Sequence, residues 1–280
     1  MEKAIKRYFP IFVLPTMIAF TLGFIIPFVE GVYLSFCKFT TVNDAKFIGF
    51  ANYAKVFADE TFVHAFWYTA AFTVVSVILI NVLAFAVALL LTKGFKGTNI
   101  FRTVFFMPNL IGGIVLGYIW QLLLNGILMN FSRTLTYSST YGFWGLIILM
   151  CWQQIGYMMI IYIAGIQNIP GELIEAAEID GATKWQILKK VTIPMVMPSI
   201  TVCTFLTLTN SFKLFDQNLA LTNGEPSKMS EMLALNIFYT FYGRTGYEGV
   251  GQAKAVIFFI LVTVIALTQN YLTRRKEVQQ

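Results

Sequence analysis

The chain has 280 residues, of which 57% are hydrophobic and 12% are charged, and its formal net charge at pH 7 is +6. Soluble domains carry about 25% charged residues, so this composition indicates a membrane protein. The basic residues collect at the ends of apolar runs, which argues against a nucleic-acid-binding surface. The chain has one histidine, His64, and three cysteines without short spacing. We therefore expect no metal site, no disulfide framework and no histidine-dependent catalytic triad.

Six apolar runs are long enough to cross a bilayer, which requires about 20 residues each. They lie near 11–36, 66–92, 101–124, 143–167, 196–222 and 251–273. The first run is too long for a secretion signal and lacks a small-x-small cleavage site, so we interpret it as the first span. With no stretch typical of a large soluble domain, the sequence predicts one all-α transmembrane domain over 1–280, a bundle of six membrane helices.

The distribution of basic residues predicts the orientation of these spans, because lysine and arginine are enriched in cytoplasmic loops. Twelve basic residues flank the runs on one side: Lys3, Lys6, Arg7, Lys93, Lys96, Arg102, Lys184, Lys189, Lys190, Arg274, Arg275 and Lys276. Six lie on the other side: Lys38, Lys46, Lys55, Arg133, Lys228 and Arg244. We therefore expect both termini in the cytoplasm.

Two shorter patterns predict local structure. Aromatic residues recur every three to five positions in the outer segment 38–65, which suits either a helix on the outer membrane surface or an ordered loop with aromatic anchors. Gly112, Gly113 and Gly117 place small residues in the third run and predict close helix packing.

Polar side chains near the centre of the fourth and fifth runs are the candidate ligand site, because polar groups are costly in hydrocarbon. The fourth run carries Gln153, Gln154 and Tyr157, and the fifth carries Thr204, Thr207, Thr209, Asn210 and Ser211. Amides, hydroxyls and a tyrosine ring suit a neutral ligand rich in hydroxyl groups. The alternative is that these groups bond between helices. Lys213 and Asp216 share a helical face nearer the outer end and form either a local pair or a ligand contact.

A polar segment, residues 171–190, separates the fourth and fifth runs and cannot lie in lipid. Residues 171–180 and 184–190 are each predicted to form a short helix, with Gly181 allowing the turn between them. Ala176, Ala177, Gly181 and Ala182 present almost no side chain, so another protein could approach the backbone closely. Glu175 can pair with a cation of that partner, and Trp185 can anchor the segment to its own bundle or to the partner. The alternative is a solvated amphipathic loop.

Three stretches carry a family resemblance. The pattern Glu175-Ala-Ala-x-x-Asp180-Gly-Ala, followed by Trp185 and Pro194, closely resembles the EAA loop of binding-protein-dependent ABC importer permeases. Two further stretches resemble the carbohydrate-uptake branch of this family, of the maltose and multiple-sugar type. They are Phe101-Arg-Thr-Val-Phe-Phe-Met-Pro108 with Tyr118-Ile-Trp120, and Lys213-Leu-Phe-Asp216 through Leu221-Thr-Asn-Gly-Glu-Pro226. The chain departs from that branch at Glu225, where glycine is usual, and at Tyr68, where asparagine is usual.

The resemblance implies a permease subunit of an ATP-driven importer for an oligosaccharide or similar glycoside in a bacterial cell membrane. It implies a six-helix core that pairs with a second, homologous permease, an extracytoplasmic sugar-binding protein, and a cytoplasmic ATPase dimer in which ATP and magnesium reside. It assigns contact with the ATPase to the residues Glu175, Ala176, Ala177, Asp180, Gly181, Ala182 and Trp185. It assigns the sugar site to the residues Gln153, Gln154, Tyr157, Thr207, Asn210, Ser211 and Leu214.

Three other functions stay open at this point. An ion-coupled secondary transporter would need an ion site at mid-depth, and no central carboxylate is present in the six runs. A membrane enzyme would need a catalytic cluster, and no nucleophile–base pair is evident. An ABC importer for a non-sugar solute would share the EAA loop. The chain has no Gly-x-x-x-x-Gly-Lys-Ser/Thr phosphate loop, so we expect it to be no enzyme and to bind no cofactor itself.

Overall fold

The computed structural model describes residues 2–94 and 96–274. Within them the helices are α1 (Glu2–Phe20), α2 (Ile26–Leu34), α3 (Ala51–Phe57), α4 (Glu60–Leu91), α5 (Thr98–Phe106), α6 (Gly113–Met129), α7 (Ser139–Gln167), α8 (Gly171–Ile179), α9 (Lys184–Ile187), α10 (Ile193–Met195), α11 (Met197–Phe212), α12 (Asp216–Leu221), α13 (Leu233–Gly243) and α14 (Glu248–Arg274). A π-helical turn, Thr21–Ile25, joins α1 to α2, and another, Leu188–Thr192, joins α9 to α10. Arg275 and Lys276 of the predicted basic flank lie outside the described residues, as do the side chains of Lys3, Lys6 and Arg7.

Four continuous helical stretches in the described part are long and apolar enough to cross a membrane: Ile11–Leu34, α4, α7 and α14. Two bent pairs bring the total to six if each pair is one span. Thr98–Leu110 meets α6 at 102°, and Lys184–Met195 meets α11 at 69°. The predicted all-α membrane fold is therefore confirmed, although the third and fifth runs are not straight helices.

Local backbone chemistry explains both bends. Gly112 precedes α6 in an extended conformation, with φ −60° and ψ 140°, so the helical ladder is interrupted there. Pro198 lies in the first turn of α11 and lacks the N–H that a continuous helix would need. The fifth run was expected to continue to residue 222, but α11 ends at Phe212 and α12 begins only at Asp216.

The outer segment 38–65 is divided between an ordered loop and helices. Cys37–Lys38 (β1) pairs antiparallel with Lys46–Phe47 (β2) around a 3-10 turn at Val42–Asp44, and α3 and the start of α4 follow. Asp44 closes the turn between the strands, because its Oδ1 accepts the backbone N–H groups of Thr40 and Thr41 at 2.9 and 3.0 Å. These bonds hold the pKa of Asp44 below its usual value. Of the two arrangements that the sequence left open, the ordered loop is found before α3, and helix covers 51–57 and 60–65.

The chain divides into two compact units, one from residues 1–60 and 237–260, the other from 61–236 and 261–280. The first unit contains a buried ion pair. Lys254 Nζ lies 2.7 Å from Asp59 Oδ2 and donates to Thr240 Oγ1 at 2.8 Å, and the lysine side chain is wholly buried. The second unit contains the main apolar core, in which α7 supplies Leu149, Met158 and Tyr162.

Glycines allow close helix contacts in the second unit. A methyl group at Gly113 would lie 2.7 Å from Asp216 Cβ, and one at Gly117 would lie 2.7 Å from Ala220 Cβ. The predicted close packing is confirmed at these two positions, where α6 meets α12. A methyl group at Gly112 would meet nothing within 4 Å, so this glycine belongs to the bend and not to a close helix contact. This contact fixes α12 beside the start of α6, and α12 lines the cavity described next.

Candidate functional site

A polar cavity of about 380 Å³ lies between α7, α11 and the start of α12. Three of the seven residues predicted for the ligand site line it, namely Gln154, Asn210 and Leu214. The remaining lining residues are Met150, Lys213, Phe215, Asp216 and Gln217. The cavity therefore combines amides and one residue of each charge with apolar walls, as expected for a site that binds hydroxyl groups.

Gln154 is the most informative residue of this cavity. Its side chain is only 8% exposed, and its Oε1 has no hydrogen-bond partner among the described residues. A buried acceptor without a partner costs about 1–3 kcal/mol, so this oxygen is suited to accept a hydrogen bond from a ligand hydroxyl. Ser211, fully buried on α11, also has a hydroxyl without a partner in the described chain, but it does not line the cavity.

Gln153 supports the cavity from behind. Its Oε1 accepts a hydrogen bond from Gln217 Nε2 at 2.8 Å, and its Nε2 donates to the Ile111 carbonyl at 3.4 Å. The side chain is 6% exposed and is absent from the cavity lining. Gln153 therefore links α7 to α12 and to the bend in the third span, and it orients Gln217, which does line the cavity.

Thr207 belongs to a buried network between helices. Its hydroxyl donates to the Cys203 carbonyl at 2.7 Å and accepts from Asn81 Nδ2 at 3.3 Å, while Tyr162 donates to Asn81 Oδ1 at 2.7 Å. This is the interhelical arrangement that the sequence left open as the alternative. The sequence analysis missed Asn81 and Tyr162, although a single amide inside an apolar run was the signal for such a network.

Tyr157 and the two charged residues occupy different positions. The Tyr157 ring lies 6.4 Å from the Phe106 ring and outside the cavity lining. Lys213 and Asp216 both line the cavity and are exposed, and no ion pair joins them in the described chain. Asp216 lies beside Gly113, where α6 begins. The positive end of the α6 dipole therefore stabilises the negative charge of Asp216.

The 171–190 segment has the predicted turn. Gly181 has a φ of +75°, its N–H donates to the Glu178 carbonyl, and the Ala182 N–H donates to the Ala177 carbonyl, each at 3.0 Å. This pair of bonds is a Schellman motif, in which glycine supplies the left-handed residue that ends a helix. Thr183 then begins α9 with a capping box closed by Gln186. The expectation of two short helices around Gly181 is therefore confirmed.

The exposed face of the 171–190 segment is partly apolar. Ile179 is 87% exposed and Trp185 is 69% exposed, whereas Ile187 is buried. Glu175, Ala176, Asp180 and Gly181 are exposed, and Ala177 and Ala182 are half-buried. Large apolar side chains held out by two capped helices indicate a surface for another protein.

Most of the chain is similar to known transport proteins. Residues 80–278 match the model of a family described as "Binding-protein-dependent transport system inner membrane component". The chain is 42% identical over 278 residues to a "probable starch degradation products transport system permease protein" of Thermoanaerobacterium thermosulfurigenes, covering 96% of this chain and 94% of that protein. It is 28% identical to a "multiple sugar-binding transport system permease protein" of Streptococcus mutans, covering 99% of both.

Solved structures show the same fold. A chain from the crystal structure of a bacterial ABC transporter involved in the import of the acidic polysaccharide alginate superposes with a TM-score of 0.83. The two chains are 23% identical, and the match covers 98% of each.

Proposed function

Because this chain belongs to the family of binding-protein-dependent transport system inner membrane components, we propose that it is the permease subunit of an ATP-driven sugar importer. The observation that carries the proposal is the cavity at Gln154, whose amide oxygen is buried without a partner in the described chain. The printed names of the relatives, which concern starch degradation products and multiple sugars, support a carbohydrate substrate.

The cavity suits sugar hydroxyl groups. Gln154 Oε1 accepts a hydrogen bond, Asn210 and Gln217 supply amide donors and acceptors, and Lys213 and Asp216 extend the site toward the end of α11. Gln153, Thr207, Tyr157 and Ser211 hold or surround this site rather than line it. The translocation pathway passes through the cavity when the transporter alternates between outward-open and inward-open states.

The 171–190 segment transmits the ATPase cycle to the cavity. It connects α7, which carries Gln154, to the bent pair that ends in α11, which carries Asn210. A movement of the segment therefore acts on both walls. In this proposal Glu175 and the small residues around Gly181 contact the ATPase, and hydrolysis takes place in that partner.

The assembly requires three further kinds of protein: a second homologous permease, a cytoplasmic ATPase dimer and an extracytoplasmic sugar-binding protein. Both termini lie in the cytoplasm, on the side of Lys93, Lys96 and Lys184. The membrane helix Ile11–Leu34 leaves most of its surface exposed within this chain, with Leu34 as its one buried residue, so it is available for lipid or for the second permease.

Two glycine substitutions test the coupling between the ATPase and sugar transport. Gly181→Trp places a large side chain at the proposed ATPase contact, whereas Gly246→Trp does so at another exposed glycine with φ +85° and open surroundings, between α13 and α14. In proteoliposomes containing the complete transporter, we expect Gly181→Trp to abolish both sugar uptake and the ATPase activity stimulated by the binding protein. The Gly246→Trp variant should retain both. Wild-type uptake by Gly181→Trp would refute the assignment of the coupling surface.

The sugar site is tested with Gln154→Leu against Thr209→Val. Thr209 donates its hydroxyl only within α11, to the Phe205 and Leu206 carbonyls, and does not line the cavity. Loss of one hydrogen bond to a neutral hydroxyl corresponds to about 0.5–1.5 kcal/mol, so we expect a roughly two- to twelvefold loss of uptake efficiency for Gln154→Leu. Uptake of every sugar on a panel of oligosaccharides at the wild-type rate would contradict the site.

A further inference from the structure

A second polar cavity, of about 430 Å³, lies in the same unit where α4 and α7 end and α5 begins. Its walls include Leu91, Thr92, Thr98, Asn99, Arg102 and Gln167. None of these residues lines the cavity at Gln154, so the two sites are separate. The proposed transport function makes no use of this second cavity.

The surroundings of the cavity are cationic. The stretch 92–102 carries Lys93, Lys96 and Arg102 and contains no aspartate or glutamate. Arg102 is the cation that lines the cavity itself. In the described chain no ion pair engages Arg102, Lys93 or Lys96. The charge of the site is therefore not neutralised by an ion pair among the described residues.

Arg102 has unused hydrogen-bonding capacity. Its Nη2 makes one long contact, 3.4 Å, to the Leu91 carbonyl, and its Nε is buried without a partner in the described chain. A guanidinium has five N–H donors in a planar fork that matches the oxygens of a phosphate group. The half-buried side chain thus presents a directed set of donors to the cavity.

The backbone leaves room for a bound group beside this guanidinium. Gly94 and Gly97 have φ values of +71° and +91°, and a methyl group at either position would meet nothing within 4 Å. Gly97 is the N-cap of α5 and provides no side-chain cap, so the positive end of α5 is directed toward the same space. Arg102 supplies the specific hydrogen bonds to a bound anion, and the N-terminus of α5 adds positive electrostatic potential at the same place.

We propose that this cavity binds the phosphate of an anionic membrane lipid. The shared chemistry is that of a phosphate oxyanion, and a lipid is the favoured source because the cavity lies at the ends of two membrane-length helices. Those ends face the predicted cytoplasmic side, where basic pockets between membrane helices bind anionic headgroups. Gln167 lines the cavity and precedes α8 by four residues, so a bound headgroup would brace the base of the 171–190 segment.

The experiment measures lipid binding to the complete transporter purified in detergent, by native mass spectrometry with titrated phosphatidylglycerol or phosphatidylcholine. Arg102→Gln removes the guanidinium, and Thr98→Asp adds a carboxylate in the first turn of α5, where an acid is compatible with the helix. Arg244→Gln removes the same charge at an exposed position outside the cavity. Each protein is also titrated with inorganic phosphate without added lipid.

We expect the wild type and Arg244→Gln to bind phosphatidylglycerol in preference to phosphatidylcholine, and the two cavity variants to bind it about tenfold more weakly. Equal binding of phosphatidylglycerol by all four proteins would overturn the site. Equally tight binding of inorganic phosphate, lost in the same two variants, would overturn the lipid assignment and give the site to a free anion. Because binding is measured without transport, failure of this proposal is distinguishable from failure of the sugar-import function.

Discussion

Gly156 is the position where one added methyl group should do the most damage to the proposed sugar site. A Cβ there would lie 1.8 Å from the Phe105 carbonyl oxygen, 2.3 Å from the Phe105 carbonyl carbon and 2.8 Å from the Phe106 nitrogen. All three are backbone atoms, so no side-chain rotation relieves the clash. A carbon–oxygen contact needs about 3.3 Å, and α5 must therefore move from α7 by about 1.5 Å.

The expected loss of stability is the cost of overpacking minus the gain in helix propensity. Overpacking of a well-packed core typically costs about 1–3 kcal/mol, and more when backbone must shift. The backbone clash places Gly156→Ala at the upper end of that range, about 2–3 kcal/mol, and alanine recovers up to about 1 kcal/mol of helix propensity relative to glycine, so the net destabilisation is about 1–2 kcal/mol or more. For a chain of this size that lowers the melting temperature by roughly 2–8 °C. The matched control is Gly126→Ala in α6, where nothing lies within 4 Å and the propensity gain stands alone.

The assay is thermal unfolding of the purified transporter in detergent, followed by sugar uptake in proteoliposomes. We expect Gly126→Ala to melt at or above the wild-type temperature. We expect Gly156→Ala to melt below it and to transport more slowly, because Gln154 lies two residues away on α7. A Gly156→Ala variant with wild-type melting temperature and uptake would refute the argument that α5 and α7 are in backbone contact.

Three further outcomes are expected. Lys254→Met should lower the free energy of unfolding by about 3–5 kcal/mol, because it leaves Asp59 without its buried cation; thermal melting checks this, and a loss below about 1 kcal/mol would contradict it. Asn218→Ala should cost about 2 kcal/mol or more, because this buried amide bonds backbone atoms of two other residues, and the exposed Asn130→Ala should be neutral in the same melt. Asp44→Ala should reduce hydrogen-exchange protection of the turn it closes. That difference from wild type should be full at neutral pH and disappear as the pH falls through the lowered pKa of Asp44. A difference independent of pH would exclude the carboxylate as its cause.

The sequence predicted those parts of the fold that depend on composition and on single-residue backbone preferences. Long apolar runs give membrane helices because the bilayer sets their length, and Gly181 gives the turn of the 171–190 segment because it is the residue that most readily adopts a positive φ. The bend at Gly112 was not predicted. Glycine and proline occur inside straight membrane helices as well, so their presence alone does not locate a break.

The candidate site was likewise predicted only in part from the sequence. Sequence could identify which side chains are polar within apolar runs, but a helix has several faces, and only packing decides which face each side chain occupies. Gln153 and Gln154 are adjacent, yet the structure turns one toward Gln217 and the Ile111 carbonyl and the other into the cavity. The bend at Gly112 presents that carbonyl to Gln153, so the feature that sequence could not locate also helps to hold Gln153 behind the cavity wall. A straight third span would supply no such carbonyl, and Gln153 would then lose one of the two bonds that keep it behind the cavity wall.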